Sequence, residues 1–200
     1  LVECDRADVN APPVNDPYYW VMEPDTSVIP CQSVYPGHNT QVGRPNQATS
    51  VMPAQTWTHP DGTLLPVMRF CNGLDLKGDV TFGPGVYIIE GGNMTVSGTT
   101  NPTISGTGVT FYFTNGGQAR IAANATLILA APSTGPYAGI LFFGGRSDPE
   151  SHVIQGNAAS TMTGAIYMPA SEVTFTGNSN GSGGCTQIIA NTIIMTGNSN

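Results

Sequence analysis

The densest charge in this 200-residue chain lies between Gly144 and His152, where Arg146, Asp148, Glu150 and His152 fall within seven residues. Carboxylates, an imidazole and a guanidinium are the groups that acid–base chemistry, a carbohydrate contact or a metal contact would use, and loops on rigid scaffolds are where such sites usually sit. The competing reading is a solvated loop with a local ion pair. A second set, Asp75, Lys77 and Asp79, follows Gly73. Cleavage of a polysaccharide needs two carboxylates about 5–10 Å apart, or Ca²⁺ held by carboxylates beside a basic residue. In an extended segment Asp75 and Lys77 point to the same side. The segment expected beside them offers Thr95 and Ser97 rather than carboxylates. No nucleophile motif, Cys-x-x-Cys pair or histidine at metal-ligand spacing occurs. Arg146, Asp148, Glu150, His152, Asp75 and Asp79 are therefore candidates for ligand contact; no catalytic residue, metal or cofactor is expected.

The elements that must position these residues form a repeating ladder from Gly73 to Asn200. Thr176-Gly-Asn-Ser-Asn180 recurs as Thr196-Gly-Asn-Ser-Asn200, and Gln155-Gly-Asn157 is a weaker copy one period earlier. A fixed period of this size suggests a solenoid. Leu74–Gly78, Met94–Gly98, Ala119–Ala122, Val153–Gly156, Val173–Gly177 and Ile193–Gly197 read as strands of one face. Val86–Glu90, Val109–Thr114, Ala138–Phe143, Ala165–Met168 and Gln187–Ala190 read as a second. A shorter third face fits Val80–Phe82, Thr103–Ser105, Thr126–Leu129 and Thr161–Thr163. Each run is β-branched or aromatic and ends at Gly, Asn or Pro, as strands between tight corners require. Alternation places Val173 and Phe175 inward, and Ile193 and Met195 in the same places one repeat later. Superposing the Gly156 and Gly177 corners aligns His152 with Val173, which would turn its ring inward. The expected fold is all-β: a right-handed parallel β-helix of about five to six coils, with a β-sandwich as the alternative.

Residues 1–72 differ in composition. They hold ten of the 16 prolines and three of the 25 glycines, so they read as a Pro-rich N-terminal cap or extension to a β-helix domain over residues 73–200. Tyr18–Met22 and Leu65–Phe70 are candidate short strands, and His59-Pro-Asp-Gly62 is a turn signal. Trp20, Trp57 and Phe70 either pack as the cover of an open solenoid end or form an aromatic ligand-binding surface. Within the ladder, Arg120 and Glu90 are close enough in pattern to pair, with a surface or edge role as the default reading.

Composition narrows the function classes. Formal net charge is −7 with only six Lys plus Arg, so there is no basic patch for nucleic acid or for an anionic membrane surface. Charged residues are 10% of the chain and small polar residues are frequent, which suits an extracellular all-β protein better than a cytoplasmic enzyme. No apolar run reaches the roughly 18 residues of a membrane span. The abrupt start at Leu1 and the end inside a repeat suggest a processed fragment with its targeting segment upstream. Cys4, Cys31, Cys71 and Cys185 are even in number and widely spaced, which favours two disulfides in an oxidising compartment. Three pairings are open, with Cys31–Cys71 favoured because it would tie the N-terminal segment to the first coil.

Several motifs in order carry a family resemblance. Phe70-Cys-Asn-Gly-Leu-Asp-Leu-Lys-Gly-Asp-Val-Thr-Phe-Gly-Pro-Gly-Val-Tyr-Ile-Ile-Glu-Gly-Gly92, Gly135-Pro-Tyr-Ala-Gly-Ile-Leu-Phe-Phe143, Gly164-Ala-Ile-Tyr-Met-Pro169 and Cys185-Thr-Gln-Ile-Ile-Ala-Asn-Thr-Ile193 resemble a C-terminal region of TadG-like proteins of the Flp/Tad pilus system of Gram-negative bacteria. The likeness runs from about Arg69 to Asn200 and is poor before it. It implies an envelope or surface protein in pilus assembly, anchoring or attachment, with an upstream anchor and no defined reaction. Three functions follow for test. The first is an extracytoplasmic structural or adhesive module, placed in the periplasm, on the outer surface or secreted, whose partners are cell-surface or pilus components or glycans. The second is a polysaccharide-binding or polysaccharide-degrading protein, a lyase or hydrolase. The third is an ice- or surface-binding solenoid using outward threonines such as Thr95, Thr174 and Thr176, although Lys77, Arg120 and Gln155 interrupt those columns. Self-association by stacking of coil ends is a further expectation.

Overall fold

From residue 41 on, short runs of Val, Ile, Phe, Tyr and Thr, bounded by Gly and Asn, form the strands of the described residues. The computed structural model describes residues 15–32, 41–97, 101–121, 124–157, 159–177 and 186–196; among these there is no helix. In chain order the strands are β1 (Gln41–Val51), β2 (Gln55–Thr58), β3 (Leu64–Phe70), β4 (Leu74–Phe82), β5 (Gly85–Glu90), β6 (Asn93–Ser97), β7 (Thr103–Thr107), β8 (Val109–Thr114), β9 (Gln118–Ile121), β10 (Thr126–Ala130), β11 (Ile140–Gly144), β12 (Ser151–Gly156), β13 (Thr161–Gly177) and β14 (Thr186–Thr196). They form one 14-stranded sheet. Its pairings are parallel except for the β2–β3 hairpin.

The hydrogen-bonded path β10-β7-β4-β6-β9-β12-β13 returns to β10 through a direct β10–β13 pairing. The result is a closed seven-strand parallel β-barrel with further strands outside it. This corrects the expected right-handed β-helix of separate faces, and no sandwich forms either. The reason lies in two strands that run through positions read as corners. β4 passes Gly78, pairing with β6 before it and with β7 after it. β13 passes Pro169, pairing with β10, β11 and β12 along its length. Hydrogen bonding is therefore continuous around the axis, and the ring has no free edge. β1, β3 and the hairpin also join the sheet from before residue 73.

Two cores result. The larger packs the inward residues of the ring strands against the strands beyond the ring, where the column Met68–Tyr87–Phe111–Phe142–Ile166 is in register from strand to strand. The Tyr87 and Phe111 rings stack at 5.6 Å, and those of Phe111 and Phe142 at 5.5 Å. Outside, Val86, Ile88, Tyr112, Phe143 and Tyr167 form a second apolar face. Residues 15–32 lie on that face, with Val21 and Ile29 buried in it. Two-sided burial explains why Val109–Thr114 and Ile140–Phe143 read as continuous apolar runs rather than alternating ones. Tyr18–Met22 is a turn rather than a strand, closed by the Val21 N–H donating to the Tyr18 carbonyl at 2.9 Å. Among the described residues no helix is long and apolar enough to cross a membrane.

Candidate functional site

The sequence candidates are placed first. The loop from Gly144 to His152 does not assemble its charges into one cluster. Arg146 turns toward the N-terminal segment. Its backbone N–H donates to Glu23 Oε1 at 2.7 Å, its Nη2 donates to the Tyr18 carbonyl at 2.7 Å, and its guanidinium lies 5.4 Å from the Phe143 and Tyr167 ring centres. Asp148 Oδ2 accepts the Asn115 N–H at 2.6 Å. Glu150 accepts from the Gln118 amide. His152 points into the barrel beside Val173 in register, 1% exposed. Its Nδ1 accepts the Ala119 N–H at 3.1 Å, and burial first, then the nearby Arg120 charge, pulls its pKa down to about 4. Asp75 Oδ1 accepts from Thr95 and Ser97 on β6 at 3.1 and 2.7 Å, and its Oδ2 lies 3.6 Å from Lys77 Nζ. Asp79 accepts the Thr103 N–H at 2.8 Å. Each carboxylate is thus tied to a neighbouring strand or turn, and no group of three His, Cys, Asp or Glu among the described residues could hold a metal ion. Arg120 bonds to Gln118 rather than to Glu90; the partner of Glu90 is Arg69.

The segment over residues 15–32 is fastened at several points. A Cys31–Cys71 disulfide closes its C-terminal end, the pairing favoured on sequence; Cys4 and Cys185 lie outside the described residues. Arg69 Nη1 donates to the carbonyls of Thr26 and Ile29, the latter at 2.6 Å. Phenols from the sheet and from the turn before β11 reach up to it. Tyr112 donates to Glu23 at 3.0 Å, Tyr137 to the Met22 carbonyl at 2.9 Å and Tyr167 to Asp16 at 2.6 Å. Burial pushes the Tyr112 and Tyr137 phenols well above their usual range. Burial, followed by the Asp16 bond, takes Tyr167 to about 12.

Where this segment meets the β2–β3 hairpin, a shallow depression of about 360 Å³ opens, lined by Trp20, Met22, His59, Pro60, Asp61 and Pro136. The hairpin loop follows from its residues. Pro60 presets its φ, Gly62 takes φ 90°, and the Gly62 N–H closes on the His59 carbonyl at 2.8 Å. This turn buries the His59 ring edge-on to Trp57 and Tyr137, with centres at 5.5 and 6.0 Å. His59 Nδ1 lies 2.9 Å from Asp61 Oδ1, while Nε2 is buried without a hydrogen-bond partner. The Thr63 N–H, then His59, hold the Asp61 carboxyl below its usual range. Trp20 is 62% exposed, and Tyr19 and Met22 are exposed beside it. The arrangement offers an aromatic plate, apolar walls and one exposed carboxylate, which suits a small, largely uncharged ring compound. Sequence reasoning marked both tryptophans and the His59–Gly62 turn but did not join them; they meet only through the placement of residues 15–32.

Comparison with protein-family models, with curated proteins and with solved structures gave no match.

Proposed function

We propose that the chain is an extracytoplasmic structural and adhesive module of a Gram-negative cell surface, associated with a Tad-type pilus, that contacts glycans without cleaving them. The observation that carries the adhesive part is the exposed Trp20 beside the His59–Asp61 depression, on a segment fastened by a disulfide and several side-chain bonds. Large exposed aromatics on a fixed segment mark contact surfaces. The TadG-like motifs over residues 70–193 support the pilus association. The Cys31–Cys71 bond supports an oxidising compartment. The test is retention on a panel of neutral and acidic bacterial and plant polysaccharides, with and without Ca²⁺, with mass spectrometry of the supernatant. Retention on at least one glycan, lost in Trp20→Ala and with no released product, is the expected result. Product release would replace this reading with a polysaccharide-degrading one; retention on none would remove the adhesive part.

A further inference from the structure

The depression beside Trp20 is short of hydrogen-bond donors. Pro60 and Pro136 have no N–H. Trp20 Nε1 donates to the Pro17 carbonyl at 3.2 Å, the Val21 N–H to the Tyr18 carbonyl at 2.9 Å and the His59 N–H to the Thr63 carbonyl at 2.9 Å. His59 Nδ1 stands 2.9 Å from Asp61 Oδ1, and the Asp61 N–H turns in toward the same nitrogen at 3.3 Å. The shorter contact, to a carboxylate, assigns the proton to Nδ1. Nε2 of the neutral ring is then a buried acceptor without a donor.

Acceptors are what remain. Asp61 Oδ1 is taken by His59 and by the Thr63 N–H at 2.8 Å, so Oδ2 is the carboxylate atom left for a ligand. The Thr63 N–H first, then His59, hold this carboxyl below its usual range, which keeps it ionised near neutral pH. Its side chain is half exposed, and neither lysine nor arginine is among the groups that act on it. An anionic ligand would meet a like charge and no free donor, and a neutral one would make no use of the charge. Trp20 supplies an aromatic face, and Met22 and the two prolines supply apolar walls. A cation seated over an aromatic ring and beside a carboxylate is attracted by both. The net charge of −7 adds a general pull on cations. We infer that the depression takes a sugar ring bearing a protonated amine, the ring against Trp20 and the ammonium at Asp61 Oδ2, which rests on the glycan reading and narrows it to amino sugars without an N-acetyl group. Acetylation removes the positive charge and turns three N–H donors into one.

The test is isothermal titration calorimetry of the full chain at about pH 6 and about 0.15 M salt, where a Debye length of about 8 Å screens the general attraction. The titrants are tetrasaccharides of glucosamine, N-acetylglucosamine and glucose in the same linkage, and choline. The wild type is expected to bind the glucosamine oligomer about tenfold more tightly than the two uncharged sugars. Asp61→Asn, which keeps an oxygen for the Thr63 N–H, should still bind the uncharged sugars and cut that preference to about threefold or less. Asp25→Asn removes the same charge from an exposed position and should leave the preference whole. Trp20→Ala should weaken all three sugars. Equal binding of the three sugars by the wild type, a preference for the N-acetylated one, or an equal fall in preference in Asp25→Asn would each overturn the amine and leave the glycan contact standing. Binding of none of the sugars, with or without choline, would overturn both. If Asp61→Asn does not fold, the ranking of the sugars by the wild type decides.

Discussion

Arg69 Nε on β3 donates to Glu90 Oε2 on the adjacent parallel strand β5 at 2.6 Å, and the same guanidinium holds the carbonyls of Thr26 and Ile29. Glu90 Oε1 in turn accepts from Asn115 at 2.7 Å. One ion pair therefore joins the N-terminal segment, the sheet and the turn after β8. Both side chains are largely buried, so removing one partner strands the other charge. Arg69→Met is expected to cost about 3–5 kcal/mol. Urea denaturation at pH 7 would measure it. Glu90→Gln keeps the geometry with a weaker acceptor and should cost less; equal or smaller loss in Arg69→Met would show that the pair is not what holds the segment.

The disulfide acts on the same segment through the unfolded chain. Cys31 and Cys71 are 40 residues apart, and closing a loop of that size stabilises by about 3–5 kcal/mol in the chain-entropy account. Cys31→Ser with Cys71→Ser should lower the denaturation midpoint accordingly. Limited proteolysis should then cut first within residues 15–32, ahead of the barrel strands. Uniform cleavage across the chain would argue that the segment and the sheet unfold as one unit.

Much of the local structure was legible because alternation and corner residues are local signals. Asp75 and Lys77 do share a side with Thr95 and Ser97 beside them, and His152 does stand against Val173. Closure of the ring was not legible, because it depends on β4 and β13 holding extended pairing across Gly78 and Pro169, which punctuate the sequence as stops. The depression was not legible either. Trp20 and His59 are 39 positions apart and meet through the outer apolar face, whose existence is hinted at only by the unbroken runs Val109–Thr114 and Ile140–Phe143. The charges of the Gly144–His152 loop looked like a cluster because they are neighbours in sequence. Each finds its partner elsewhere, so proximity along the chain carried no information about a site.

The bend within β4 gives a test of the continuous strand. Gly78 has φ 83°, and a Cβ there would stand 2.4 Å from the Arg44 carbonyl oxygen. Gly116 has φ 82° but no atom within 4 Å of that position. Gly116→Ala should therefore cost only the conformational penalty of about 1–2 kcal/mol. Gly78→Ala adds a backbone collision and should lose clearly more. Similar losses in thermal melts of the two variants would show that the β1–β4 contact yields easily.

Acid sensitivity should trace to His152. Its pKa of about 4 lies below the value near 6.5 of the unfolded chain, so between these pH values the unfolded state binds the extra proton. Stability from this group is complete above about pH 6.5, falls as pH drops toward 4, and changes no further below that, a total of about 3 kcal/mol. The ring is shut inside the barrel, and Arg120 stands close enough to disfavour a second positive charge, while Asp148 acts weakly the other way. His152→Leu should remove this slope. It should also lower stability at pH 7 by about 1–3 kcal/mol, because the buried Ala119 N–H loses its acceptor. The comparison is the wild-type minus variant stability from pH 7 to pH 4, which cancels the carboxylates common to both chains. A difference that stays constant across that window would show that the imidazole takes up its proton without leaving the core.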